Sequence, residues 1–186
     1  MNPSKIFFTS DHHFGHSNII KHSNRPFQDA SEMNEVLIQK WNEKVSKNDQ
    51  VYHLGDVGLT NPKKLQKILD RLNGRIYLIK GNHEKSALAC KDRFEWIKDY
   101  HELKIQDNDF QKNKQMIVLF HYALRVWNSS HWGSYHLYGH SHGNLKDDSS
   151  SLSIDVGVDC HNFYPVSYDE IKIIMKIKKT NTSFDT

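Results

Sequence analysis

A strand, a helix and a second strand can be read in order from residues 50–84, QVYHLGDVGLTNPKKLQKILDRLNGRIYLIKGNHE. The β-rich segment Gln50–Leu54 comes first, and Asn61 followed by Pro62 then supplies an N-cap and a first helical residue. Apolar residues recur at helical spacing at Leu65, Ile68, Leu69 and Leu72, before Asn73-Gly74 ends the helix. A second β-rich segment, Arg75–Lys80, follows. Two strands joined by a crossover helix are expected to be parallel, with a right-handed connection.

The same order of elements extends towards the N-terminus. Lys5–Ser10 has the composition of a strand and runs into Asp11. Asp29, with Glu32 three residues later, has the pattern of a capping box. An apolar stripe with i+4 spacing follows at Met33, Leu37, Trp41 and Val45. We therefore expect three parallel strands, and the polar residues that end them should converge at one edge of a sheet.

Strands follow one another more directly in the second half of the chain. The candidates are His101–Ile105, Gln115–Phe120, Tyr135–Tyr138 and Leu152–Asp159. A last helix is predicted from Ser167 and Glu170, which have capping-box spacing, through Lys178. The two halves together predict an α/β fold of two packed mixed sheets with helices outside. A single domain should cover residues 1–178, with a polar tail at residues 179–186.

Composition limits the class of protein. The 186 residues carry a formal charge of +3 and include 13 histidines and 2 cysteines. This charge is too small to indicate a dedicated surface for long nucleic acids. No apolar run approaches the roughly 20 residues of a membrane span, and the N-terminus lacks the apolar region of a signal peptide, so we expect a cytoplasmic protein without membrane contact. Cys90 and Cys160 lack CxxC spacing and are predicted to be reduced thiols.

The polar residues at the strand ends are of metal-ligating types. They are Asp11, His13, Asp56, Asn82, His121, His140 and His142. Three oxygen donors and four imidazoles, without a thiolate, exceed the four ligands of one structural zinc site and suit two ions. Two ions about 3.5 to 4 Å apart need a bridging carboxylate, for which Asp56 on the middle strand is the first candidate and Asp11 the second.

The spacing within the polar clusters also suggests how the ligands could meet. If the strand period of two continues, Asp11 and His13 project to the same side. His140 and His142 repeat that spacing. A glycine stands directly before three of the proposed ligands, at Gly55, Gly81 and Gly139, and should allow close approach of the backbone.

Five blocks of residues, in order along the chain, carry a resemblance to a known family. They are Asp11-x-His13, Gly55-Asp56, Gly81-Asn82-His83-Glu84, His121 and Gly139-His140-x-His142. This series closely resembles the signature of the calcineurin-like metallophosphoesterase superfamily, in particular its compact bacterial or phage-type members. The resemblance implies a four-layer α/β/β/α sandwich that hydrolyses a phosphomonoester or a phosphodiester.

The resemblance also implies a role for each matched residue. A first ion would be bound by Asp11, His13, Asp56 and His142, and a second ion by Asp56, Asn82, His121 and His140, with Asp56 shared. His83 would stabilise the transition state or protonate the leaving oxygen, oriented by Glu84, while a hydroxide bridging the metals would be the nucleophile. Mn²⁺ is the first expectation for both ions, and Fe, Zn, Ni or Co are alternatives.

Residues close to these blocks could select the substrate. Phosphate contacts are predicted for His16, Asn18, Arg25 and Arg125, and Trp127 or Trp132 could offer a stacking face for a base. The run Gly55-Asp56-Val57-Gly58-Leu59 lacks the Asp-Arg-Gly that follows in the protein Ser/Thr phosphatases of the superfamily. The chain also has no room for the accessory domain of its repair nucleases. A small phosphoester or nucleotide is therefore the expected substrate, and long nucleic acid is not.

Two other functions remain open at this point. One is a non-catalytic binding module that uses the metal edge as a partner surface, and the other is a nuclease that cuts short single-stranded nucleic acid with steep salt dependence. Histidines outside the blocks are expected to be structural or solvated, namely His12, His53, His101, His131, His136 and His161. The segment Lys172–Lys179 is expected to be a solvated helical face.

Overall fold

A computed structural model describes residues 4–110 and 113–181 of the chain. The strands are β1 (Ile6–Thr9), β2 (Gln50–His53), β3 (Arg75–Ile79), β4 (Phe94–Lys98), β5 (Tyr100–Gln106), β6 (Lys114–Phe120), β7 (Tyr135–Tyr138), β8 (Ser153–Asp155) and β9 (Val166–Ser167). The α-helices are α1 (Ser17–His22), α2 (Ala30–Lys44), α3 (Pro62–Leu69), α4 (Lys85–Leu88) and α5 (Tyr168–Asn181). Short 3₁₀ turns lie at Lys91–Arg93, Ser130–Trp132 and Val158–Cys160.

The first sheet has the strand order β4-β3-β2-β1-β9. β1, β2, β3 and β4 are parallel, and β9 pairs with β1 in the antiparallel direction. Phe7 of β1 lies opposite Val51 of β2, which lies opposite Ile76 of β3. The predicted parallel crossovers are confirmed, and β2 is the middle strand of the three that were predicted.

The second sheet has the order β5-β6-β7-β8. β5 and β6 are antiparallel neighbours, whereas β6, β7 and β8 are parallel. Both sheets therefore contain both kinds of pairing, and the predicted α/β fold of two mixed sheets with helices is confirmed. The helical layer that would cover the second sheet from outside stays a prediction.

Hydrogen-bonded caps set the starts of the two longest helices. The Asp29 carboxylate accepts hydrogen bonds from the backbone N–H groups of Ser31 and Glu32, at 2.7 and 2.9 Å. At α5, Glu170 Oε2 accepts from the Ser167 N–H at 2.8 Å, and Ser167 Oγ accepts from the Glu170 N–H at 3.3 Å. Both predicted N-termini are confirmed.

Successive residues of β1 point into two different apolar cores. Phe7 belongs to a cluster with α2 and α3 that includes Met33, Leu37, Trp41, Leu65 and Leu69. Phe8 belongs to a cluster with the second sheet and α5 that includes Leu54, Ile117, Leu119, Ile171 and Met175. The apolar stripes predicted for α2 and α3 are therefore buried. A sheet with a core on each face leaves its strand ends as the place where polar residues can gather.

Several element boundaries differ from the predicted ones for local reasons. α3 ends at Leu69, but the N–H groups of Arg71 and Leu72 bond to carbonyls three residues back, so a tighter turn carries Leu72 into the core. β8 ends at Asp155, because its Oδ1 accepts the Gly157 N–H and turns the chain. α1 and β4 are elements that the sequence reading did not predict.

The C-terminal helix is less solvated than expected. The ammonium group of Lys178 is buried, where it donates to the Ser153 carbonyl at 2.6 Å and pairs with Asp147. Lys172 pairs with Asp107 at 3.0 Å. The predicted solvated face at Lys172–Lys179 is therefore found only in part: Lys172 and Lys178 tie α5 to loops of the second sheet, whereas Ile173, Lys176 and Ile177 are exposed. α5 runs to Asn181, and most of the predicted tail, residues 182–186, lies outside the described residues.

Among the residues that the structure describes, no helix combines the length and the apolar character needed to cross a membrane. The cytoplasmic location and the end of the domain at residue 178 stay predictions.

Candidate metal centre

The proposed ligands lie on loops that leave the carboxyl ends of five strands. Asp11 and His13 follow β1, Asp56 follows β2, Asn82 follows β3, His121 follows β6, and His140 and His142 follow β7. Three of these strands belong to the first sheet and two to the second. The two sheets therefore contribute to one common edge, where the side chains meet.

Most of these loops turn at the ligand itself. Asp11, His13, Asp56, His140 and His142 have positive φ angles, between 47° and 67°. Left-handed backbone costs a non-glycine residue about 1 to 3 kcal/mol and is concentrated at functional sites. β1 ends at Thr9, so the predicted continuation of the strand period through His13 is wrong. The two side chains meet because the loop turns at both residues.

Glycines allow neighbouring loops to touch. A methyl group at Gly81 would overlap Asp56 Oδ1, and a methyl group at Gly139 would overlap Asp11 Oδ2. Gly55 has a φ of 101° and lies against the backbone of Gly81. The close approach predicted for these positions is confirmed.

The first donor cluster consists of Asp11, His13 and His142. Asp11 Oδ1 lies 4.0 Å from His13 Nε2 and 4.0 Å from His142 Nε2. Asp56 Oδ2 lies 3.4 Å from His13 Nε2. Ligand atoms about 2.1 Å from one ion are roughly 3 to 4 Å apart, so these separations suit a shared ion.

Burial supports a cation at the first cluster. Asp11 Oδ1 and both ring nitrogens of His13 are buried without a hydrogen-bond partner among the described residues. Burial raises the pKa of Asp11 to about 7 and lowers the pKa of His13 to about 2. A neutral imidazole and a buried carboxylate oxygen without a hydrogen-bond partner are the groups a divalent ion would satisfy.

The second donor cluster consists of Asp56, His121 and His140. His121 Nε2 lies 3.9 Å from Asp56 Oδ1 and 3.1 Å from Asn82 Oδ1. His121 Nδ1 lies 2.7 Å from the Leu54 carbonyl oxygen, which can only accept a hydrogen bond, so Nδ1 carries a proton.

The protonation state of His121 determines whether its Nε2 atom can donate a hydrogen bond to Asn82. Burial lowers the pKa of His121, so the ring is neutral and Nε2 holds a lone pair. Asn82 Oδ1 also presents lone pairs towards that nitrogen. Two facing acceptors repel each other unless a cation lies between them, so this pair fits a metal site as well.

The Asp56 carboxylate faces both clusters. Its Oδ2 atom is the one near His13, and its Oδ1 atom is the one near His121. Oδ1 also accepts a hydrogen bond of 2.9 Å from the His83 N–H, which holds the carboxylate in place. The residues present therefore fit two ions that share Asp56.

His83 and Glu84 take different positions from the predicted pair. The His83 side chain is exposed, with its ring centroid 5.8 Å from that of His13. Glu84 is buried, and its Oε1 accepts hydrogen bonds from the N–H groups of Asp56 and Gly81. Burial raises the pKa of Glu84 to about 7. The predicted role of Glu84 is corrected: it holds the Asp56 and Gly81 loops together instead of orienting the His83 ring.

Arg25 is not available to a substrate. Its Nε and Nη2 atoms bind the two carboxylate oxygens of Asp159, each at 2.8 Å. The remaining N–H groups donate to the carbonyls of Asp11 and His12 and to the sulfur of Met33. All five guanidinium donors are used inside the protein, so the predicted phosphate contact is wrong.

The two candidate stacking tryptophans also differ. Trp127 is buried, and its indole N–H bonds to Ser134, so the prediction that it stacks on a base is wrong. Trp132 is 82% exposed, and a role in binding stays a prediction.

Three other predicted substrate residues are placed as follows. His16 has its ring centroid 5.4 Å from that of His13 and is the N-cap residue of α1. Asn18 is exposed on the first turn of α1. Arg125 is exposed on the segment that follows His121. Their phosphate contacts stay predictions.

Sequence reasoning missed two residues next to the centre. Asp159 Oδ2 lies 2.7 Å from His142 Nδ1, and this aspartate was expected to end a strand. Tyr122 is 39% exposed, and its ring centroid lies 4.7 Å from that of His140. Adjacency to His121 was a usable signal for Tyr122, whereas no local pattern marks Asp159.

Other histidines serve the structure. His12 Nδ1 lies 2.9 Å from His53 Nε2 in the interior, and His136 Nδ1 lies 3.1 Å from the Val118 carbonyl. His161 Nε2 lies 2.8 Å from the Asp155 carbonyl. The structural role predicted for these four is confirmed.

Comparison with known proteins agrees with this geometry. Residues 5–158 match the calcineurin-like phosphoesterase superfamily domain. The chain belongs to this superfamily. Its members are metal-dependent phosphoesterases, and the two donor clusters of this phosphoesterase could each hold an ion.

Relatives occur in an archaeon and in a phage. An uncharacterised protein of Methanocaldococcus jannaschii is 36% identical, over all of this chain and 99% of its own length. The Gene 66 protein of Mycobacterium phage L5 is 38% identical over 52% of this chain and 48% of its own length. A solved structure of a protein of unknown function from Aquifex aeolicus has a TM-score of 0.71 and 24% identity, and covers 92% of this chain and 100% of its own. That similarity shows a shared fold.

Proposed function

We propose that this protein hydrolyses a small phosphomonoester or phosphodiester, such as a nucleotide, with two divalent ions that share Asp56. The observation that supports it best is the placement of the two Asp56 oxygens, one towards each donor cluster. Two ions in such a site supply an activated water at neutral pH and offset the charge of the phosphoryl oxygens. Nitrogen and oxygen donors without thiolate suit Mn²⁺ first, with Fe, Zn, Ni or Co as alternatives.

The residues of the chain have distinct tasks in this proposal. Asp11, His13 and His142 hold the first ion, and Asn82, His121 and His140 hold the second, with Asp56 common to both. The buried residues keep bulk water from the ions on the protein side. The reaction therefore takes place on the exposed side, where Asn82 and His140 are accessible.

His83 is the candidate proton donor for the leaving oxygen. Its backbone is fixed by the hydrogen bond from its N–H to Asp56 Oδ1, while its ring stays exposed near His13. An exposed imidazole can exchange protons with solvent and reach a substrate bound over the ions. No metal contact is needed for this role.

The substrate end can also be assigned from residues that are exposed or, like His16, half-buried beside the clusters. His16, Asn18 and Arg125 remain candidates for the phosphate or a neighbouring group. Tyr122 takes the place of Trp127 as the candidate stacking face, because it is exposed and lies beside His140. An aromatic ester group on the phosphate would contact it.

Hydrolysis with and without metal tests this proposal. Metal-stripped protein should not hydrolyse bis-p-nitrophenyl phosphate or p-nitrophenyl phosphate, and Mn²⁺ should restore hydrolysis until EDTA is added. Metal binding without turnover of these esters or of nucleotides would instead indicate a binding module. Cleavage confined to single-stranded oligonucleotides, falling steeply with salt, would indicate a nuclease.

A further inference from the structure

Asp159 contacts a metal-ligand candidate on one side and a buried cation on the other. Its Oδ2 atom lies 2.7 Å from His142 Nδ1. Arg25 binds the same carboxylate through Nε to Oδ1 and Nη2 to Oδ2, each at 2.8 Å. A bidentate guanidinium fixes both the position and the plane of a carboxylate. Asp159 therefore presents its Oδ2 lone pair to His142 in a defined direction.

Arg25 links this carboxylate to the loop that carries Asp11 and His13. The guanidinium also donates to the carbonyls of Asp11 and His12, at 2.6 and 2.9 Å. The buried Arg25 guanidinium thus holds the loop that carries Asp11 and His13. Through Asp159 it also holds the ring of His142. No exposed charge takes part in this arrangement, so solvent screening is weak.

The backbone brings Asp159 there by changing sheets. β8 pairs in the second sheet, but after it the Val158 N–H donates to the Ser10 carbonyl at 3.1 Å, beside β1. Gly157 forms an isolated parallel bridge with Ser10. The next residue but one is Asp159, in the 3₁₀ turn Val158–Cys160. The segment therefore reaches the first donor cluster alongside the end of β1.

A proton on Nδ1 decides which His142 nitrogen can bind a metal. A carboxylate next to Nδ1 keeps a proton there, so Nε2 is the nitrogen left to bind an ion, and it lies 4.0 Å from Asp11 Oδ1. Histidine ligands of metals commonly donate their second N–H to a carboxylate in this way. Without that partner the ring can change tautomer or rotate.

We propose that Asp159, clamped by Arg25, is a positioning residue that fixes the His142 ring and its Nδ1–H tautomer for binding of the first ion. This inference rests on the proposed two-ion site. It assigns the Arg25–Asp159 pair a task at the metal centre, beyond that of an ion pair between two loops.

The test compares Asp159→Asn with a matched variant. Asp107 is the control, because its side chain is also 8% exposed and also pairs with a cation, Lys172, away from the centre. Calorimetric titration with Mn²⁺ alone should show two equivalents bound by the wild-type protein and by Asp107→Asn. Asp159→Asn should bind one equivalent about 10 to 100-fold more weakly and leave the other unchanged.

The outcomes separate the positioning role from a structural one. Wild-type binding of both equivalents by Asp159→Asn, with only a loss of thermal stability like that of Asp107→Asn, would overturn the positioning role alone. Failure of the wild-type protein to bind two equivalents would overturn the two-ion site as well.

A measurement on the wild-type protein keeps the test valid if Asp159→Asn does not fold. Nitrogen-15 NMR of the metal-free protein, at a pH high enough for the ring to be neutral, reports the His142 tautomer directly. The proposal requires the Nδ1–H form, and the Nε2–H form would contradict it.

Discussion

Asp11 and His13 of the first donor cluster are buried, whereas His140 of the second cluster and its neighbour Asn82 are exposed. Within the described part of the chain, the first cluster has buried atoms without a hydrogen-bond partner, and the Asp159 carboxylate contacts one of its histidines. The second has the ring of His121 fixed by a backbone carbonyl and opens to solvent at His140 and Asn82. In the proposed two-ion site, an ion at the first cluster would be enclosed, and an ion at the second cluster would lie on the side that a substrate can reach.

Asp56→Asn should have the largest effect, because it removes the charge common to both clusters. We expect hydrolysis at the level of protein without metal and loss of binding of at least one ion. Hydrolysis of bis-p-nitrophenyl phosphate and Mn²⁺ content measure the two effects. Asp99→Asn, at an exposed aspartate that pairs with Lys80, is the isosteric control and should behave as wild type. Full loading with two ions in Asp56→Asn would contradict the bridge.

His83→Ala should separate chemistry from metal binding. We expect both ions to stay bound and kcat to fall about 10² to 10⁴-fold, the range of general acid catalysis by a side chain. Steady-state kinetics and metal analysis on the same sample check this. An unchanged kcat would remove His83 from the proposed reaction.

Metal removal should proceed in two steps if the clusters differ as described. After EDTA is added to the Mn²⁺ form, the ion at the exposed second cluster should leave well before the ion at the buried first cluster. Time-resolved Mn²⁺ release measures the two steps. His142→Ala should accelerate the slow step, whereas His140→Ala should leave it unchanged. Release of both ions in one step would contradict the difference between the clusters.

Tyr122→Leu should have the smallest effect on hydrolysis. It tests whether the ring beside the exposed His140 contacts the substrate. The ratio of kcat/KM for bis-p-nitrophenyl phosphate to that for methyl p-nitrophenyl phosphate should fall about 5-fold, which corresponds to roughly 1 kcal/mol of lost stacking. The leaving group is the same in both esters, so the ratio isolates the second ester group. Trp132→Leu is the matched control, and a fall in its ratio alone would place the stacking face at Trp132.

The sequence was sufficient to predict where the polar residues gather. Parallel crossovers force the ends of β1, β2 and β3 onto one edge, so Asp11, Asp56 and Asn82 could be grouped from strand and helix patterns. Helix caps at Asp29 and Ser167 were predictable because capping bonds are local in sequence.

Contacts between distant segments were beyond prediction from one sequence. The ion pair of Arg25 with Asp159 could not be foreseen, because the two residues lie 134 positions apart. The phosphate contact predicted for Arg25 is wrong for that reason. Trp127 was misjudged because its burial depends on the loop that returns through Ser134. The left-handed turns at Asp11 and His13 also depend on tertiary contacts, since their N–H groups bond to the loop after β2.

Anomalous diffraction from crystals grown with Mn²⁺ tests the shared aspartate most directly. The account predicts two manganese peaks about 3.5 to 4 Å apart, each coordinated by a different oxygen of Asp56. A single peak, or two peaks of which only one contacts Asp56, would contradict it.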